Sequence, residues 1–142
     1  PLVTIVGPGG VGKTRLAAEV ARRAAAAGEP VRVAELAGVR SPDAVAGTIA
    51  AALHGGELTF AAASTMDGSQ RTDNADPVRR AARDLAGLVV LDNCEHVLDA
   101  AAEAVGQILA VAPRATVLAT SRAPLGLAGE AVAGPRFLDS FE

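Results

Sequence analysis

The chain has 142 residues, a formal net charge of −3 and only three aromatic residues, all phenylalanines. This length suits one compact domain with a buried core and leaves no room for a second. With no basic run and no aromatic platform, the composition argues against direct contact with nucleic acid. No apolar stretch approaches the roughly 18 residues of a membrane span, so a membrane partner is also excluded.

The single cysteine, Cys94, excludes an internal disulfide and fits a reducing compartment. We therefore expect a cytoplasmic protein. Cys94, His96 and His54 include no second closely spaced ligand pair, which disfavours a structural metal site. Because the chain begins at Pro1 without an initiator methionine, and its first residues already read as a strand, we expect residues 1–142 to be a single domain of a longer multidomain protein.

The first predicted elements are a strand, a loop and a helix. The strand is the β-branched run Leu2–Val6, and the loop at Gly7–Thr14 fits the pattern G-x-x-x-x-G-K-[ST] without a mismatch. The helix is predicted from Lys13 to Ala27, where apolar residues recur at helical spacing and Gly28 ends the pattern. A strand, this loop and a helix in this order are the context of a phosphate-binding loop.

The chemistry of such a loop explains its residue types. Backbone N–H groups of the loop and of the helix start surround phosphate oxygens, and glycine leaves room for that approach. Lys13, which is the only lysine in the chain, is predicted to reach the β/γ-phosphates, and the Thr14 hydroxyl to coordinate Mg²⁺. The predicted nucleotide-binding residues are Gly7, Gly9, Gly10, Val11, Gly12, Lys13, Thr14 and Arg15.

The middle of the chain alternates between predicted strands and helices. A second strand is predicted at Val31–Leu36, and a helix follows to about Leu53, with Ser41 as its N-cap and Pro42 at its first position. From 55 to 75 the periodicity disappears, and we predict a long loop that is mobile rather than catalytic. Asp76–Pro77 then restarts a helix that is predicted to continue to Leu85.

The apolar run Leu88–Asp92 ends in a carboxylate, which is how a buried parallel strand delivers an acid to the edge of a sheet. With a phosphate loop upstream, Asp92 is a candidate Walker B acid that holds Mg²⁺. A helix is predicted at Glu95–Val111 and a further buried strand at Ala115–Thr120, which precedes Arg122.

This alternation predicts an α/β fold with a parallel sheet, helices on both faces and a ligand at the carboxyl ends of the strands. Lys13, Asp92 and Arg122 all fall at such ends. Three charged groups suited to phosphate and Mg²⁺ are therefore expected to converge.

Three motifs together closely resemble the nucleotide-binding domain of bacterial STAND signal-transduction ATPases, which are relatives of NB-ARC domains. They are GPGGVGKTRLA at 7–17, LDNCEHVLDA at 91–100 and ATSRAPLG at 119–126. The resemblance is to the subgroup found in large transcriptional regulators of the SARP and LuxR-type families. It implies a three-layer P-loop fold whose five-stranded parallel sheet has the order 5-1-4-3-2.

The resemblance also implies a function. ATP or ADP would bind with Mg²⁺, held by Thr14 and Asp92, and Arg122 would sense the γ-phosphate through its planar guanidinium. The other reading of Arg122 is a surface ion pair. The domain would act as a slow ATPase switch, and its partners would be the lid, effector and repeat domains of the same full-length chain.

One departure from the family concerns catalysis. Many relatives have a second acid directly after the Walker B aspartate, but here Asn93 stands there, and an amide cannot take a proton from water. Glu95 or His96 would have to serve instead, or the module would bind nucleotide without hydrolysing it. A small-molecule kinase is the remaining enzyme alternative, whereas a GTPase is disfavoured because its guanine-reading motif needs a second lysine.

Overall fold

The computed structural model describes residues 1–55 and 77–134. Apart from Gly55, the long loop predicted at 55–75 lies outside the described residues, and so does the predicted cap Asp76. The mobility of the loop therefore remains a prediction.

The five strands form one fully parallel sheet in the order β2-β3-β4-β1-β5. Read from the opposite edge this is 5-1-4-3-2, so the implied fold is confirmed. The strands are β1 (Leu2–Val6), β2 (Val31–Glu35), β3 (Ala86–Asp92), β4 (Arg114–Ser121) and β5 (Glu130–Ala133). Because β4 lies between β1 and β3, the end of β4 is next to both the phosphate loop and the end of β3.

Four α-helices and one short 3₁₀ turn connect the described strands. The helices are α1 (Lys13–Ala26), α2 (Pro42–Leu53), α3 (Pro77–Ala82) and α4 (Leu98–Val111), and the 3₁₀ turn is Cys94–His96. The helices α1 and α2 agree with the predicted bounds to within one residue. Within residues 1–55 and 77–134, none of the helices has the length and apolar character needed to cross a membrane.

Two local predictions about the helices were wrong. The helix α4 begins at Leu98 rather than Glu95, because Asn93 is left-handed and Val97 has the non-helical angles φ −137° and ψ 41°. The helix α3 ends at Ala82 rather than Leu85, and Asp84 just beyond it has a φ of 63°. Ser41 occupies the N-cap position of α2, but its side chain makes no capping hydrogen bond.

The core lies on both faces of the sheet, because successive side chains of a strand point to opposite faces. The helix α1 covers one face, where Leu16 and Ala17 pack against sheet residues that include Leu88, Val90 and Leu118. The helices α2, α3 and α4 cover the other face, against sheet residues that include Val89, Leu91 and Val117. Even-numbered residues of β3 and β4 therefore face α1.

A glycine at the start of β3 fixes how closely that strand approaches the chain entering β2. Gly87 has a φ of +102°, and a β-carbon there would lie 2.3 Å from the carbonyl oxygen of Pro30. The next residue, Leu88, donates its N–H to the same oxygen at 2.9 Å. This contact lies immediately before the first paired residues of β2 and β3. The last pair of these two strands is Glu35 and Asp92.

Candidate nucleotide-binding site

The loop between β1 and α1 has the backbone that its glycines permit. Gly10 and Gly12 have φ angles of +84° and +95°, a region that residues with a β-carbon rarely adopt. The N–H group of Gly7 donates to the carbonyl oxygen of Ser121 at 3.2 Å, which ties the start of the loop to the end of β4. A β-carbon at Gly7 would lie 3.0 Å from Cγ2 of Val11, so the loop closes tightly on itself.

The side chain of Lys13 lies inside this loop. Lys13 is only 7% exposed, and its Nζ donates to the carbonyl oxygens of Gly7 at 2.7 Å and Pro8 at 2.9 Å. A lysine ammonium has three N–H donors, so these two bonds hold the charge in place and leave one donor for an anion.

The start of α1 is also suited to an anion. Gly12 occupies the N-cap position, and no side chain caps the helix there. The first N–H groups of a helix have no partner within the helix and carry the positive end of its dipole. Arg15 is exposed on this first turn. The loop, Lys13 and the helix start therefore present donors and positive charge in one place.

The carboxylate of Asp92 is the centre of a hydrogen-bond network. Asp92 is 4% exposed at the end of β3. The Thr14 hydroxyl lies 3.0 Å from both of its oxygens, and the Thr120 hydroxyl donates to Oδ1 at 2.5 Å. The side-chain amide of Asn93 donates to Oδ2 at 3.1 Å. These donors from three separate segments satisfy the oxygens of a buried carboxylate and hold its orientation.

The fold explains why these groups meet. Asp92 and Thr120 are even-numbered residues of β3 and β4, so both side chains point to the face covered by α1, whose first turn carries Thr14. The register pairs Leu91 with Ala119, which makes Asp92 and Thr120 the next neighbours along the two strands. Adjacent side chains on one face of a sheet are close enough to bond directly.

Arg122 extends from the end of β4 towards the phosphate loop. A β-carbon at Gly9 would lie 3.2 Å from Nη2 of Arg122, so the guanidinium lies directly against the loop. Arg122 is exposed, and the ion pairs found among residues 1–55 and 77–134 involve Glu19 with Arg22 and Arg23 instead. The surface ion pair considered for Arg122 is therefore absent from the described part of the chain.

Glu95 lies apart from the Asp92 network but shares a cavity with Arg122. The cavity has a volume of about 180 Å³ and is bordered by the 3₁₀ turn, the start of α4 and the segment after β4. Its lining residues are Glu95, His96, Leu98, Ser121, Arg122 and Ala123. Within the described residues, Oε2 of Glu95 is buried without a hydrogen-bond partner. A carboxylate oxygen in that state is an available acceptor for a small donor such as water.

Cys94 contributes packing rather than reactivity. Burial, together with the smaller effect of the nearby carboxylates of Glu95 and Asp92, raises the pKa of its thiol to about 12. Its Sγ lies 3.5 Å from the carbonyl oxygen of Leu91. In the part of the chain that the structure describes, no three histidine, cysteine or acidic residues cluster as metal ligands.

The segment after Arg122 is held by a residue that the sequence did not single out. Oε2 of Glu130 accepts from the Thr4 hydroxyl at 2.5 Å and the Leu125 N–H at 2.8 Å, and Oε1 accepts from the Gly126 N–H at 3.0 Å. We call residues 122–129 the sensor loop, after the role that the family resemblance implies for Arg122. Glu130 thus bonds the middle of the sensor loop to β1.

Sequence reasoning also missed Thr120 and the role of the Asn93 amide. Thr120 belongs to the motif that marked Arg122, but nothing in the sequence connects its hydroxyl with a carboxylate 28 positions away. Asn93 was noted for what it cannot do, whereas its left-handed φ of 62° suits asparagine and directs its amide to Asp92. The one available signal in the sequence was that asparagine, at position 93, is a residue type that favours the left-handed (αL) conformation.

The residues present fit a nucleotide phosphate with Mg²⁺. Thr14 and Asp92 supply hydroxyl and carboxylate oxygens, which are the ligands that Mg²⁺ prefers. The loop with its two left-handed glycines, the buried ammonium and the uncapped helix supply donors for an anion. This combination can bind and orient a di- or triphosphate.

Sequence comparisons relate the chain to longer mycobacterial proteins. No family model matches the chain. It is 43% identical over 129 residues to a protein of Mycobacterium bovis named as an HTH-type transcriptional regulator, covering 91% of this chain and 13% of that protein. It is 37% identical over 130 residues to an uncharacterized protein of Mycobacterium tuberculosis, covering 91% of this chain and 30% of that protein.

A solved structure extends the comparison to three dimensions. The Signal Transduction ATPase with Numerous Domains (STAND) protein with a tetratricopeptide repeat sensor from Pyrococcus horikoshii matches with a TM-score of 0.55 and 16% identity, over 94% of this chain and 20% of that chain. The chain therefore spans a minor part of the length of the proteins it resembles, and its fold is similar to that of part of this STAND protein.

Proposed function

We propose that this chain is the ATP- and ADP-binding switch module of a bacterial signal-transduction or transcriptional regulator, and that it hydrolyses ATP slowly. One observation carries the proposal: Lys13 inside the loop, the uncapped start of α1, and Thr14 bonded to Asp92 lie together at the carboxyl edge of the sheet. The likeness of fold to a STAND ATPase and the name of the mycobacterial regulator support the wider context.

In this proposal the residues divide into binding and sensing groups. The loop 7–12 and the first turn of α1 donate N–H groups to the α- and β-phosphates, and Lys13 turns its remaining donor to the β/γ-phosphates. Thr14 and Asp92 hold Mg²⁺, which would neutralise charge on the phosphate oxygens when bound. Arg122, next to Gly9, distinguishes ATP from ADP because its fork can bond γ-phosphate oxygens.

Glu95 is our proposed general base. Its buried Oε2 faces no partner among the described residues and shares a cavity with Arg122, the proposed γ-phosphate sensor. A water in that cavity would transfer a proton to the carboxylate as its oxygen bonds to the γ-phosphorus, and ADP would leave as the bond to the bridging oxygen breaks. Asn93 cannot take this role, since its amide already donates to Asp92.

Slow hydrolysis suits a switch, because a switch has to distinguish only whether the γ-phosphate is present. Exchange of ADP for ATP would move Arg122 and the sensor loop, and other domains of the full-length protein would respond. The effector would be one of those domains, for which the name of the mycobacterial relative suggests a DNA-binding function.

The binding proposal is tested by isothermal titration of the protein with Mg-ATP and Mg-ADP. We expect Lys13→Ala to weaken binding of both by at least about 100-fold, because a buried charge-assisted contact is lost together with its hold on the loop. Arg23→Ala is the matched control, since it removes one positive charge from the other end of α1 and should leave binding unchanged. Equal affinity of the Lys13→Ala variant and the wild type would refute the proposed site.

A further inference from the structure

Among the side chains of β4 in the described structure, that of Thr120 is the one bonded to the Asp92 carboxylate. We propose that Thr120 is a positioning residue that sets the Mg²⁺ dependence of nucleotide binding by orienting the Asp92 carboxylate. This inference rests on the proposed function, because it concerns the same site, and it assigns a role to a residue that the motif analysis did not use.

The bonding of Thr120 is complete and directional. Its side chain is 1% exposed. Its hydroxyl donates its one proton to Oδ1 of Asp92 at 2.5 Å and accepts the backbone N–H of Asn93 at 2.9 Å. The hydroxyl is therefore committed to the segment 92–93, and rotation about its C–O bond would break one or both contacts.

The effect on Asp92 follows from the positions of its other partners. Oδ2 accepts the Asn93 amide at 3.1 Å, and the Thr14 hydroxyl lies 3.0 Å from both oxygens. Thr120 is the partner that bonds Oδ1 from the neighbouring strand β4, whereas Thr14 reaches the carboxylate from the first turn of α1. Without this bond the carboxylate can turn about its Cβ–Cγ bond, and its lone pairs lose their fixed direction towards the site.

The position of Thr120 in the chain gives this bond a second consequence. Thr120 precedes Arg122 by two residues, and the Ser121 carbonyl between them accepts the Gly7 N–H at 3.2 Å. One short strand end thus contacts the acid of the site, the phosphate loop and the proposed γ-phosphate sensor. A displacement of Arg122 on γ-phosphate binding would be transmitted to Asp92 through Thr120.

A purely structural role for Thr120 predicts a different effect of its loss on ATP binding with and without Mg²⁺. The two neighbours of Thr120 in the sheet, Ile5 and Asp92, would still enclose a valine of the same shape, and valine is favoured in strands. If the hydroxyl only stabilises the fold, its loss should weaken ATP binding equally with and without Mg²⁺. If it orients Asp92, the loss should appear only with Mg²⁺.

The test measures the dissociation constant of ATP by calorimetry in excess Mg²⁺ and in excess EDTA, for the wild type and four variants. The dissociation constant in EDTA divided by that in Mg²⁺ gives the ratio by which Mg²⁺ strengthens ATP binding. We expect Thr120→Val and Thr120→Ala to lower this ratio by about tenfold or more, which corresponds to one lost hydrogen bond to a charged group. Thr120→Ser keeps the hydroxyl and should keep the ratio, as should the control Thr116→Val, which lies on the same strand and face.

The outcomes separate the two proposals. A wild-type ratio in Thr120→Val and Thr120→Ala overturns the positioning role while the nucleotide site stands. A reduced ratio in Thr120→Ser overturns the positioning role as well, because that variant retains the hydroxyl. The serine variant therefore keeps the positioning role testable even if Thr120→Val does not fold. Absence of ATP binding by the wild type in both media would overturn the proposed function itself, and the role of Thr120 with it.

Discussion

At the scale of single residues, the surroundings of each carboxylate determine the role that suits it. Asp92 and Glu95 are three positions apart, yet their surroundings differ completely. Asp92 is satisfied by the hydroxyls of Thr14 and Thr120 and the amide of Asn93, whereas Oε2 of Glu95 is buried beside a cavity with no bond from the described residues. A saturated carboxylate suits a fixed ligand role, and an unsatisfied one suits an acceptor of protons from water.

This contrast predicts the effect of Glu95→Gln. The substitution keeps the size and polarity of the side chain but removes its capacity as a base, so the rate of ATP hydrolysis should fall by about 100-fold or more. Affinity for Mg-ATP should stay within about twofold, because Glu95 makes no contact with Asp92 or Lys13. Single-turnover hydrolysis and calorimetry measure the two quantities.

His96→Gln is the control for Glu95, since His96 lines the same cavity but is exposed. We expect this variant to hydrolyse ATP at the wild-type rate. Loss of hydrolysis in His96→Gln with retention in Glu95→Gln would reverse the assignment of the base.

At the scale of elements, the connection from β4 to β5 depends on one side chain. Glu130 bonds the Leu125 and Gly126 N–H groups and the Thr4 hydroxyl, so the sensor loop is fastened at its middle as well as at its ends. Burial alone would raise the pKa of Glu130, but the bonds from Thr4 and from the N–H groups of 125–127 outweigh it, and the pKa lies below its usual value.

The lowered pKa gives the stability a defined pH dependence. The folded state binds the Glu130 proton more weakly than the unfolded state, so the stabilisation is fully present above the unfolded pKa of about 4.3 and is lost as the pH falls through the folded pKa. At pH 7, Glu130→Gln should lower the free energy of unfolding by about 1 kcal/mol, a figure reduced because Glu130 is partly exposed.

Thermal unfolding from pH 7 down to about pH 3 tests this expectation. The difference between wild type and Glu130→Gln should shrink as the pH falls, because protonation removes the same bonds in the wild type. Glu103→Gln, which changes an exposed carboxylate of α4, should show no such convergence. A difference that is constant over the whole pH range would contradict the role given to the Glu130 carboxylate.

At the scale of the whole molecule, the site is assembled at the junction of three neighbouring strands. The order β3-β4-β1 brings the ends of these strands together at one edge of the sheet, and α1 then covers the face on which Asp92 and Thr120 point. A ligand bound here would contact the loop after β1, the start of α1 and the ends of β3 and β4, so binding should stabilise the folded state as a unit.

We therefore expect Mg-ATP to raise the unfolding temperature. At 100 times the dissociation constant the stabilisation is about 2.7 kcal/mol, which corresponds to a shift of about 5–10 °C for a domain of this size. Differential scanning calorimetry with the wild type and Lys13→Ala measures the shift. An equal shift in the Lys13→Ala variant would mean that ATP binds elsewhere on the molecule.

How well the sequence predicted the structure differs from segment to segment. The bounds of β1, α1 and α2 were predictable because apolar periodicity and glycine or proline signals are local. The strand β5 (Glu130–Ala133) was implied by family resemblance but not located, since it is short, lies at the sheet edge and has little burial to produce an alternating pattern. The turn before α4 was missed because its interruption is a backbone conformation at Asn93 and Val97, within an unbroken apolar pattern.

The sequence by itself determined the geometry of the loop Gly7–Thr14, because these residues are contiguous and their glycines and lysine need only local backbone geometry to form a cradle. It also determined that Asp92 ends one buried strand and that Arg122 follows another. Only the tertiary structure decided that Thr120 and Asn93 hold Asp92, that Glu130 fastens the sensor loop, and that Glu95 shares a cavity with Arg122. Those contacts depend on which strands are neighbours, on their register and on which face a side chain points to, and these are set by packing of the whole domain.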